Sequence, residues 1–377
     1  MSKRALAPIA CWLAAPMDRD VREAIHRLRA APGIVRVAVM PDVHLAAGVC
    51  IGVAAASSSW IYPQAVGGDI GCGMLAVGTD VEAAALDEAR ATRVLTGLAK
   101  AIPARRRNRH EAIQPPDATC APLSHPRLDA IRRNEAALKF ATLGSGNHFL
   151  ELQADEEGRL WLMIHSGSRV LGPAVRDHYL ELARPVGHGL FAIEVDSDPG
   201  AGYLHDAGCA RAWADASRRA IAREAGRVLA DVLGASLRWE SAIATDHNHV
   251  ALERHGGVDL WVHRKGAMRA RGGEQGVLPG SMGSLSYHVE GRGYPQALCS
   301  SAHGAGRLLS RTAARAKVTE RDLARQMADV WYNTRLAPRL LDEAPSAYKD
   351  IRAVLRAQRD LTKVIRTLRP VLNYKGV

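Results

Sequence analysis

The sequence predicts an α+β fold: one large mixed α/β domain, residues 1–377, with an active site built from strand-end loops. Three observations predict it. The chain is 47% hydrophobic and 24% charged, which is typical of a globular protein. Apolar strand-like segments end in side chains suited to ligand binding, and segments of helical periodicity separate them. Such side chains also occur on both sides of every Gly/Pro-rich stretch, which favours one domain over several.

Three segments are predicted to be strands that carry functional residues at their ends. Residues 33–44 (GIVRVAVMPDVH) are rich in β-branched side chains and finish in a turn with charged residues. Residues 160–169 (LWLMIHSGSR) deliver His165 in the same way, and residues 259–270 (DLWVHRKGAMRA) deliver Lys265. Strand ends hold such residues rigidly while the adjoining loops remain free to bind a ligand.

Helices and loops are predicted between these strands. Residues 209–233 carry apolar side chains at helical spacing, and Thr319 starts a helix with an acidic residue three positions on. Residues 350–368 read as a basic amphipathic helix. Turn-forming residues predict loop excursions at 103–126 and 184–202.

Cysteine usage and hydropathy predict a cytoplasmic protein without a membrane span. Six cysteines are scattered without a CxxC pair, which favours reduced thiols over a disulfide framework. No apolar run reaches the ~18 residues of a membrane span. The first twenty residues are interrupted by Pro8 and Pro16, so they are expected to be mature sequence rather than a signal peptide.

The formal net charge of +11 predicts attraction to polyanions, nucleic acid above all. An arginine-rich composition bias would produce the same charge without any such function. The charge therefore supports an RNA or DNA partner without identifying one.

Glycine-rich segments hold side chains that are typical of metal sites. Asp69 and Cys72 lie three residues apart in VGGDIGCGM, and His148, His165 and His247 lie among small or polar residues. Thiolate and imidazole suit zinc, whereas a carboxylate and open positions also admit manganese or iron. Each residue alone also fits a structural role, as a packed thiol or a hydrogen-bonded histidine. Their combination predicts a metal site.

Other glycine-rich segments predict phosphate binding. LGSGNHF, LPGSMGSLSY and SAHGAGR offer backbone N–H groups and hydroxyls, which are the donors of anion sites. Arg169, Lys265 and Arg307 would neutralise phosphoryl oxygens. Metal ligands, phosphate donors and positive charge together predict phosphoryl or nucleotidyl transfer.

The ordered motifs of this chain resemble those of the RtcB family of RNA-splicing ligases. The match runs from about Met40 to the NYKG near the C-terminus, and eight ordered motifs are far more specific than any single one. The motifs that carry it are MPDVH, AVGGDIGCGM, LGSGNHFLEL, HSGSR, HRKGAMRA, PGSMGSLSY, HGAGR with the following SR, and DEAPSAYKDI. The chain is therefore identified as a member, with a fold of the RtcB-like type.

The resemblance implies two manganese ions bridged by the thiolate of Cys72. Asp69 and His148 would complete the protein ligands of one ion, and His165 and His247 those of the other. It also implies that GTP guanylylates a histidine, that GMP passes to an RNA 3′-phosphate, and that a 5′-hydroxyl displaces GMP. Such an enzyme joins 3′-phosphate or 2′,3′-cyclic phosphate ends to 5′-hydroxyl ends in tRNA splicing or RNA repair.

By motif, the guanylylated histidine is His303, and an unprotonated imidazole held in line can attack the α-phosphate. Asp42 would help to orient the site, and Arg169 would contact phosphates. The residues expected to bind GTP or GMP are Asn147, Glu151, Lys265, Ser281, Gly304, Gly306, Arg307, Tyr348 and Lys375. RNA, with tRNA as one candidate, is the implied partner, and an archease-type activator is a further candidate.

The sequence departs from the family pattern at one turn. HLAAG places Ala46 and Ala47 where relatives typically have glycine and lysine, so an RNA or phosphate contact is expected to be weaker. SSAHGAGR also lacks a cysteine that relatives often carry before the serine and histidine, which should matter little. All proposed ligands and the nucleophile are present, so an active enzyme is expected.

Two alternatives stay open at this point. A metal-dependent phosphoesterase or nuclease would use water as its nucleophile and would not need a guanylylated His303. A non-catalytic RNA-binding protein would need neither, and the intact ligand set weighs against it.

Overall fold

A computed structural model describes residues 6–119 and 121–376, so Cys120 lies outside the described residues. The chain contains both helices and many strands, and the predicted α+β class is confirmed. The strands are β1 Ile9–Cys11, β2 Ile34–His44, β3 Ile51–Ser57, β4 Trp60–Ile61, β5 Gly73–Glu82, β6 Phe149–Ala154, β7 Arg159–Ser166, β8 Arg184–Gly187, β9 Leu190–Glu194, β10 Leu237–Asp246, β11 Asn248–His255, β12 Val258–Lys265, β13 Ala267–Arg269, β14 Gln275–Leu278, β15 Ser286–Gly291, β16 Ser300–Ala302 and β17 Thr362–Lys375. The α-helices are α1 Arg19–Ala30, α2 Glu88–Ala101, α3 Pro126–Ile131, α4 Ala137–Lys139, α5 Leu171–Leu182, α6 Asp198–Leu233, α7 Arg311–Lys317, α8 Glu320–Gln326, α9 Ala337–Leu340 and α10 Ile351–Ala357.

A seven-stranded sheet in the order β10-β5-β7-β6-β17-β15-β14 forms the centre of the molecule. Its edge strands β10 and β14 also contact each other, so the sheet curls toward a barrel. Alternate residues of each strand face opposite sides. Leu75 and Leu162 therefore pack with the large core cluster that includes α6, whereas Met74 and Met163 line the inner face.

A five-stranded sheet in the order β1-β2-β3-β12-β11 lies beside it. The β2 strand is buried on both faces. Val37 and Val39 pack with Leu28 of α1, while Ala38 and Met40 join a separate cluster with the short β13–β16 pair. Two-sided burial accounts for the continuous apolar run that predicts this strand.

The helix predictions hold in two places and fail in one. Thr319 caps α8 with a full capping box, and the helix predicted at 209–233 is the last part of α6, which begins at Asp198. The helix predicted at 350–368 is wrong beyond Ala357, because β17 begins at Thr362. Strand β17 pairs with both β15 and β6, and its β-branched residues suit that pairing.

The two predicted excursions differ in the structure. Segment 103–126 holds two single 3₁₀ turns, and α3 starts at its last residue. The prediction of a loop at 184–202 is wrong, because it holds the β8–β9 hairpin and the start of α6. Gly189 has a φ of 74° in the hairpin turn, and Gly200 in α6 lies so close to the carbonyl of Glu194 that a Cβ would come within 2.2 Å. Gly189 therefore allows the tight hairpin turn, and Gly200 allows the close approach of α6 to the carbonyl of Glu194.

No α-helix in the described ranges is both long enough and apolar enough to cross a membrane.

Candidate active site

Four neighbouring strands of the seven-stranded sheet bring ligand-type side chains together at one end of the sheet, where the strands begin or finish. Cys72 directly precedes β5, His148 directly precedes β6, His165 lies near the end of β7, and His247 directly follows β10. These strands are adjacent and antiparallel, so the start of one lies beside the end of the next. Residues far apart in the chain therefore meet at the same end of the sheet.

The side chains form two triads that share Cys72. Its Sγ lies 3.2 Å from Nε2 of His165 and 3.5 Å from Nε2 of His148. Nε2 of His148 lies 2.9 Å from Oδ2 of Asp69, and Nε2 of His165 lies 3.3 Å from Nε2 of His247. The donor atoms within each triad all lie within 4.8 Å of one another.

The donor set fits two transition-metal ions that share one thiolate. Sulfur, imidazole nitrogen and a carboxylate are ligands that manganese, iron and zinc accept. Burial and neighbouring histidines lower the pKa of both His165 and His247 well below 6.5, so the imidazoles are neutral, as ligation requires. Nδ1 of His165 donates to the Asn147 carbonyl at 2.9 Å, which leaves the Nε2 lone pair directed at the other ligands.

Burial and the charge of Asp69 raise the pKa of the Cys72 thiol well above its ordinary value. A thiolate at this position therefore needs a nearby positive charge, which a bound cation would supply. The segment is closely packed, because a Cβ on Gly167 would lie 2.1 Å from Oδ1 of Asp69. This glycine of the HSGSR motif leaves room for the carboxylate.

His303 lies beside this cluster, at the end of β16. Its ring centroid is 4.5 Å from that of His247. Nδ1 of His303 donates to Oδ2 of Asp42 at 2.7 Å, because a carboxylate can only accept. Asp42 is completely buried, two residues before the end of β2. The hydrogen bond holds the imidazole in one orientation, with Nε2 on the side of the ring away from Asp42.

A cavity of about 280 Å³ opens next to His303 and His165. Eight of the residues expected to bind the nucleotide line it, namely Asn147, Glu151, Ser281, Gly304, Gly306, Arg307, Tyr348 and Lys375. Several further residues outside the predicted set also line it, namely Met74, Phe149, Met163, Pro279, Met282, Arg311, Glu343 and Asn373. The cavity therefore combines apolar side chains with a cluster of charged and polar groups.

Strand pairing explains which of the missed residues face the cavity. Glu151 on β6 is paired with Met163 on β7 and with Asn373 on β17. Directly paired residues share a face of the sheet, and so do residues two positions along. Phe149, two positions before Glu151, is paired with His165 and faces the same cavity. The sequence alone does not give strand register, so it could not identify Phe149, Met163 and Asn373 as residues that face the cavity.

Glu151 is a buried carboxyl group in the cavity wall. Gln153 Nε2 donates to it at 2.6 Å and Asn373 Nδ2 at 2.7 Å. Burial raises its pKa from 4.5 to about 8, even though these hydrogen bonds and the charge of Lys375 act in the opposite direction. The carboxyl group is therefore mostly protonated at neutral pH. Additional hydrogen-bond donors would stabilise its ionised form.

Glu343 organises the charged end of the cavity. Its carboxylate pairs with Lys375, accepts from the Tyr348 hydroxyl at 2.7 Å, and lies 3.3 Å from Nη1 of Arg307. Burial alone would raise its pKa, but the charges of Lys375 and Arg311 and these hydrogen bonds hold the pKa at about 2. Glu343 is ionised and orients these side chains. Glu343 belongs to the DEAPSAYKDI motif, and this membership was the feature of the sequence that could have identified it as a site residue.

Lys265 lies outside the cavity lining. Its Nζ donates to the carbonyls of Ala47 and Val49 at 3.0 and 2.7 Å, because β12 directs it to the turn that follows β2. A contact between Lys265 and the nucleotide stays a prediction. Arg169 also lies outside the cavity, with Nη1 3.4 Å from Nδ1 of His148 and Nη2 donating to the Ala104 carbonyl at 3.3 Å.

Comparisons with known proteins agree on one family. A family model described as "tRNA-splicing ligase RtcB" matches residues 24–128 and 119–376. The RNA-splicing ligase RtcB of Escherichia coli strain K12 is 36% identical over 408 residues, spanning 98% of this chain and 98% of that protein. The RNA-splicing ligase RtcB of Mycobacterium tuberculosis is 30% identical over 427 residues, spanning 92% of this chain and 98% of that protein. The tRNA-splicing ligase RtcB of Nanoarchaeum equitans is 32% identical over 286 residues, or 63% of this chain and 60% of that protein.

Proposed function

The chain belongs to the RtcB family, and from this premise we propose that it joins RNA 3′-phosphate or 2′,3′-cyclic phosphate ends to 5′-hydroxyl ends. GTP is the proposed source of the activating guanylate. The relatives are RNA-splicing and tRNA-splicing ligases by name, which supports RNA as the substrate and splicing as one setting.

The observation that carries the proposal is the position of His303 between the two triads and the cavity. Its Nδ1–H is held by Asp42, so Nε2 is free to attack phosphorus. In the proposed first step a bond forms between Nε2 and the α-phosphorus of GTP, and the bond to the β-phosphate oxygen breaks. Pyrophosphate leaves, and GMP stays on the imidazole. Asp42 offsets the positive charge that develops on the ring.

Two further displacements complete the proposed reaction. An oxygen of the RNA 3′-phosphate attacks the phosphorus of the guanylylated histidine, which breaks the P–N bond and returns His303 to its starting state. The 5′-hydroxyl oxygen of the second RNA then attacks the activated 3′-phosphate and GMP leaves. The hydroxyl proton passes to solvent water, and the new linkage is a 3′,5′-phosphodiester. A cyclic end would first be opened by water to the 3′-phosphate.

Manganese ions are the proposed cofactors at the two triads. When bound, they would neutralise charge on the phosphates and lower the barrier to each displacement. Cys72 would contact both ions, Asp69 and His148 one of them, and His165 and His247 the other.

The cavity supports a purine nucleotide that lies with its base deep and its phosphates toward His303. Met74, Phe149 and Met163 provide an apolar surface for a flat base. Glu151 accepts two hydrogen bonds when ionised, and guanine presents two adjacent donors where adenine presents one. The cationic side chains near Glu343 suit ribose and phosphate oxygens.

The test is to incubate the pure protein with manganese and radiolabelled GTP and to follow the label on the protein. We expect a covalent GMP adduct that is labile in acid, because protonation of the phosphoramidate nitrogen creates a good leaving group. His303→Ala should abolish the adduct but retain metal. It should still join RNA supplied as a 3′-guanylate, since the last displacement does not use the histidine. His110→Ala, which changes an exposed histidine outside the site, is the matched control.

The alternative is a phosphoesterase or nuclease that activates water at the same metal centre. It predicts RNA hydrolysis that persists in His303→Ala and no labelled adduct in the wild-type protein. That pair of results would replace the ligase proposal. The labelled adduct separates the two proposals, because hydrolysis by water forms no P–N bond to His303.

A further inference from the structure

A second groove, of about 400 Å³, adjoins the nucleotide cavity and shares Arg311 and Glu343 with it. Its other arginines are Arg105, Arg315 and Arg339. None of these three belongs to the motifs that identify the family. They come from the 103–126 segment, from α7 and from α9, so three separate parts of the chain converge on one surface.

The charge of this groove is positive after its internal ion pairs are counted. Arg311 Nη1 lies 2.6 Å from the Asp342 carboxylate, and Arg315 Nη2 lies 2.9 Å from it. Asp342 and Glu343 are almost fully buried, so they face the arginines rather than solvent. Four arginines against two carboxylates leave two positive charges.

The unbalanced charges belong to two side chains at the surface. Arg105 and Arg339 are exposed, and no carboxylate of the described residues lies within salt-bridge distance of either. A free guanidinium at the mouth of a groove can bind a phosphate through two parallel N–H bonds. Arg311 and Arg315 are already oriented by Asp342, which lowers the entropy lost when they contact a ligand.

The groove leads directly to the proposed metal ligands. Ser145 and Gly146 line it, and the next residues along the chain are Asn147 and His148. The Gly144 N–H donates to the Ala104 carbonyl at 3.0 Å, which fixes the Arg105 segment against this loop. A strand lying in the groove would therefore end within two residues of the Asp69–Cys72–His148 triad.

We propose that this groove binds the phosphodiester backbone of the RNA strand whose end enters the metal centre. The inference rests on the proposed ligase function and adds the path of one substrate to it. Free arginines, a positive net charge and continuity with the site of chemistry favour a nucleic-acid backbone over an acidic protein. The contacts are to phosphates, so binding should be independent of sequence.

The test is the double variant Arg105→Ala/Arg339→Ala, with binding measured by fluorescence anisotropy without GTP. The probes are two single-stranded RNAs of one sequence, one ending in a 3′-phosphate and the other beginning with a 5′-hydroxyl, each blocked at its other end. Loss of two phosphate contacts should reduce the slope of log affinity against log salt by about 1.4, since each contact in single strands contributes about 0.7. We expect this reduction in the salt slope for one of the two RNA probes.

The matched control is Arg292→Ala/Arg352→Ala, which removes the same charge from two exposed arginines that line neither the groove nor the cavity. We expect its salt slope to equal that of the wild type. GMP-adduct formation, which needs no RNA, should persist in the groove variant, and ligation should slow at low RNA concentration and recover at high concentration.

Three results would overturn the groove proposal: an unchanged salt slope for both probes, an equal loss in the control variant, or lost binding of an acidic polyglutamate peptide with RNA binding intact. The last result would identify a protein partner instead. Failure of the wild-type protein to form a GMP adduct would count against the ligase proposal alone, because the binding measurements use no GTP.

Discussion

Oδ2 of Asp42 accepts two hydrogen bonds from His303, one from Nδ1 at 2.7 Å and one from the backbone N–H at 3.2 Å. The carboxylate therefore fixes both the ring and the backbone of the residue that it orients. Asp42 lies near the end of β2 and His303 follows β16, so the pair also joins the five-stranded sheet to the β13–β16 pair. Asp42 is a positioning residue for the proposed nucleophile.

Asp42→Asn should slow formation of the GMP adduct by roughly 10²-fold or more, the range typical when a proton-holding side chain is lost. The amide keeps the size of the side chain but cannot offset the charge that develops on the imidazole. The rate is measured by mass spectrometry after mixing with GTP and manganese. Metal content should match the wild type, and a rate within twofold of the wild type would contradict the role.

Cys72→Ala should remove metal from both triads, because the thiolate is the one donor that they share. The measurement is the manganese content of folded protein after equilibration and gel filtration. Cys50→Ala is the matched control, since Cys50 is equally buried but outside the triads. Retention of two ions by the Cys72 variant would show that the thiol is only packed.

GTP should bind more tightly as pH rises from 7 to 8.5. The pKa of Glu151 is raised to about 8, so the ionised form that accepts two hydrogen bonds from guanine increases across this interval. The affinity gain should be roughly five- to tenfold, in proportion to the ionised fraction. Lys375, the charged group facing Glu151, is paired with Glu343. Calorimetry in manganese-free buffer measures the affinity.

Glu151→Gln is the control for that pH dependence. The amide does not titrate, so its affinity curve should be flat and weaker than the wild type at pH 8.5. The variant should also unfold at a higher temperature than the wild type at pH 8.5 and not at pH 4. A carboxyl group with a raised pKa destabilises the fold only as pH rises above its unfolded value toward the folded one. A flat wild-type affinity curve would exclude Glu151 from the base contact.

Ala47→Lys should strengthen RNA binding through electrostatics. Ala47 is exposed in the turn after β2, and Lys265 holds this turn by hydrogen bonds to the carbonyls of Ala47 and Val49. One added phosphate contact should steepen the salt dependence of log affinity by a slope of about 0.7–0.9. Ala85→Lys, in the turn Ala83–Ala85 on a different part of the surface, is the control for net charge. Equal slopes for the Ala47 variant and the wild type would mean that this turn does not face RNA.

The sequence predicted the strands whose burial pattern is simple. Residues 34–44 form β2 because the apolar side chains from Val37 to Met40 pack in a core on one face or the other. The 350–368 segment could not be assigned correctly, because its charged and apolar residues suit a helix as well as a strand. The segment from Thr362 is a strand because it pairs with β15 and β6. These partners are distant in the chain, so the local sequence does not indicate them.

The sequence by itself determined the chemistry of the site, since the order of the motifs named the three histidines, the cysteine and the carboxylate of the triads as well as His303. Only the tertiary structure decided which atoms meet. Glu343, Phe149 and Asn373 reach the cavity through strand register and ion pairing, while Lys265 turns away to support a backbone turn. The physical reason is that residue type sets what a side chain can bind, whereas sheet order and register set what lies within reach.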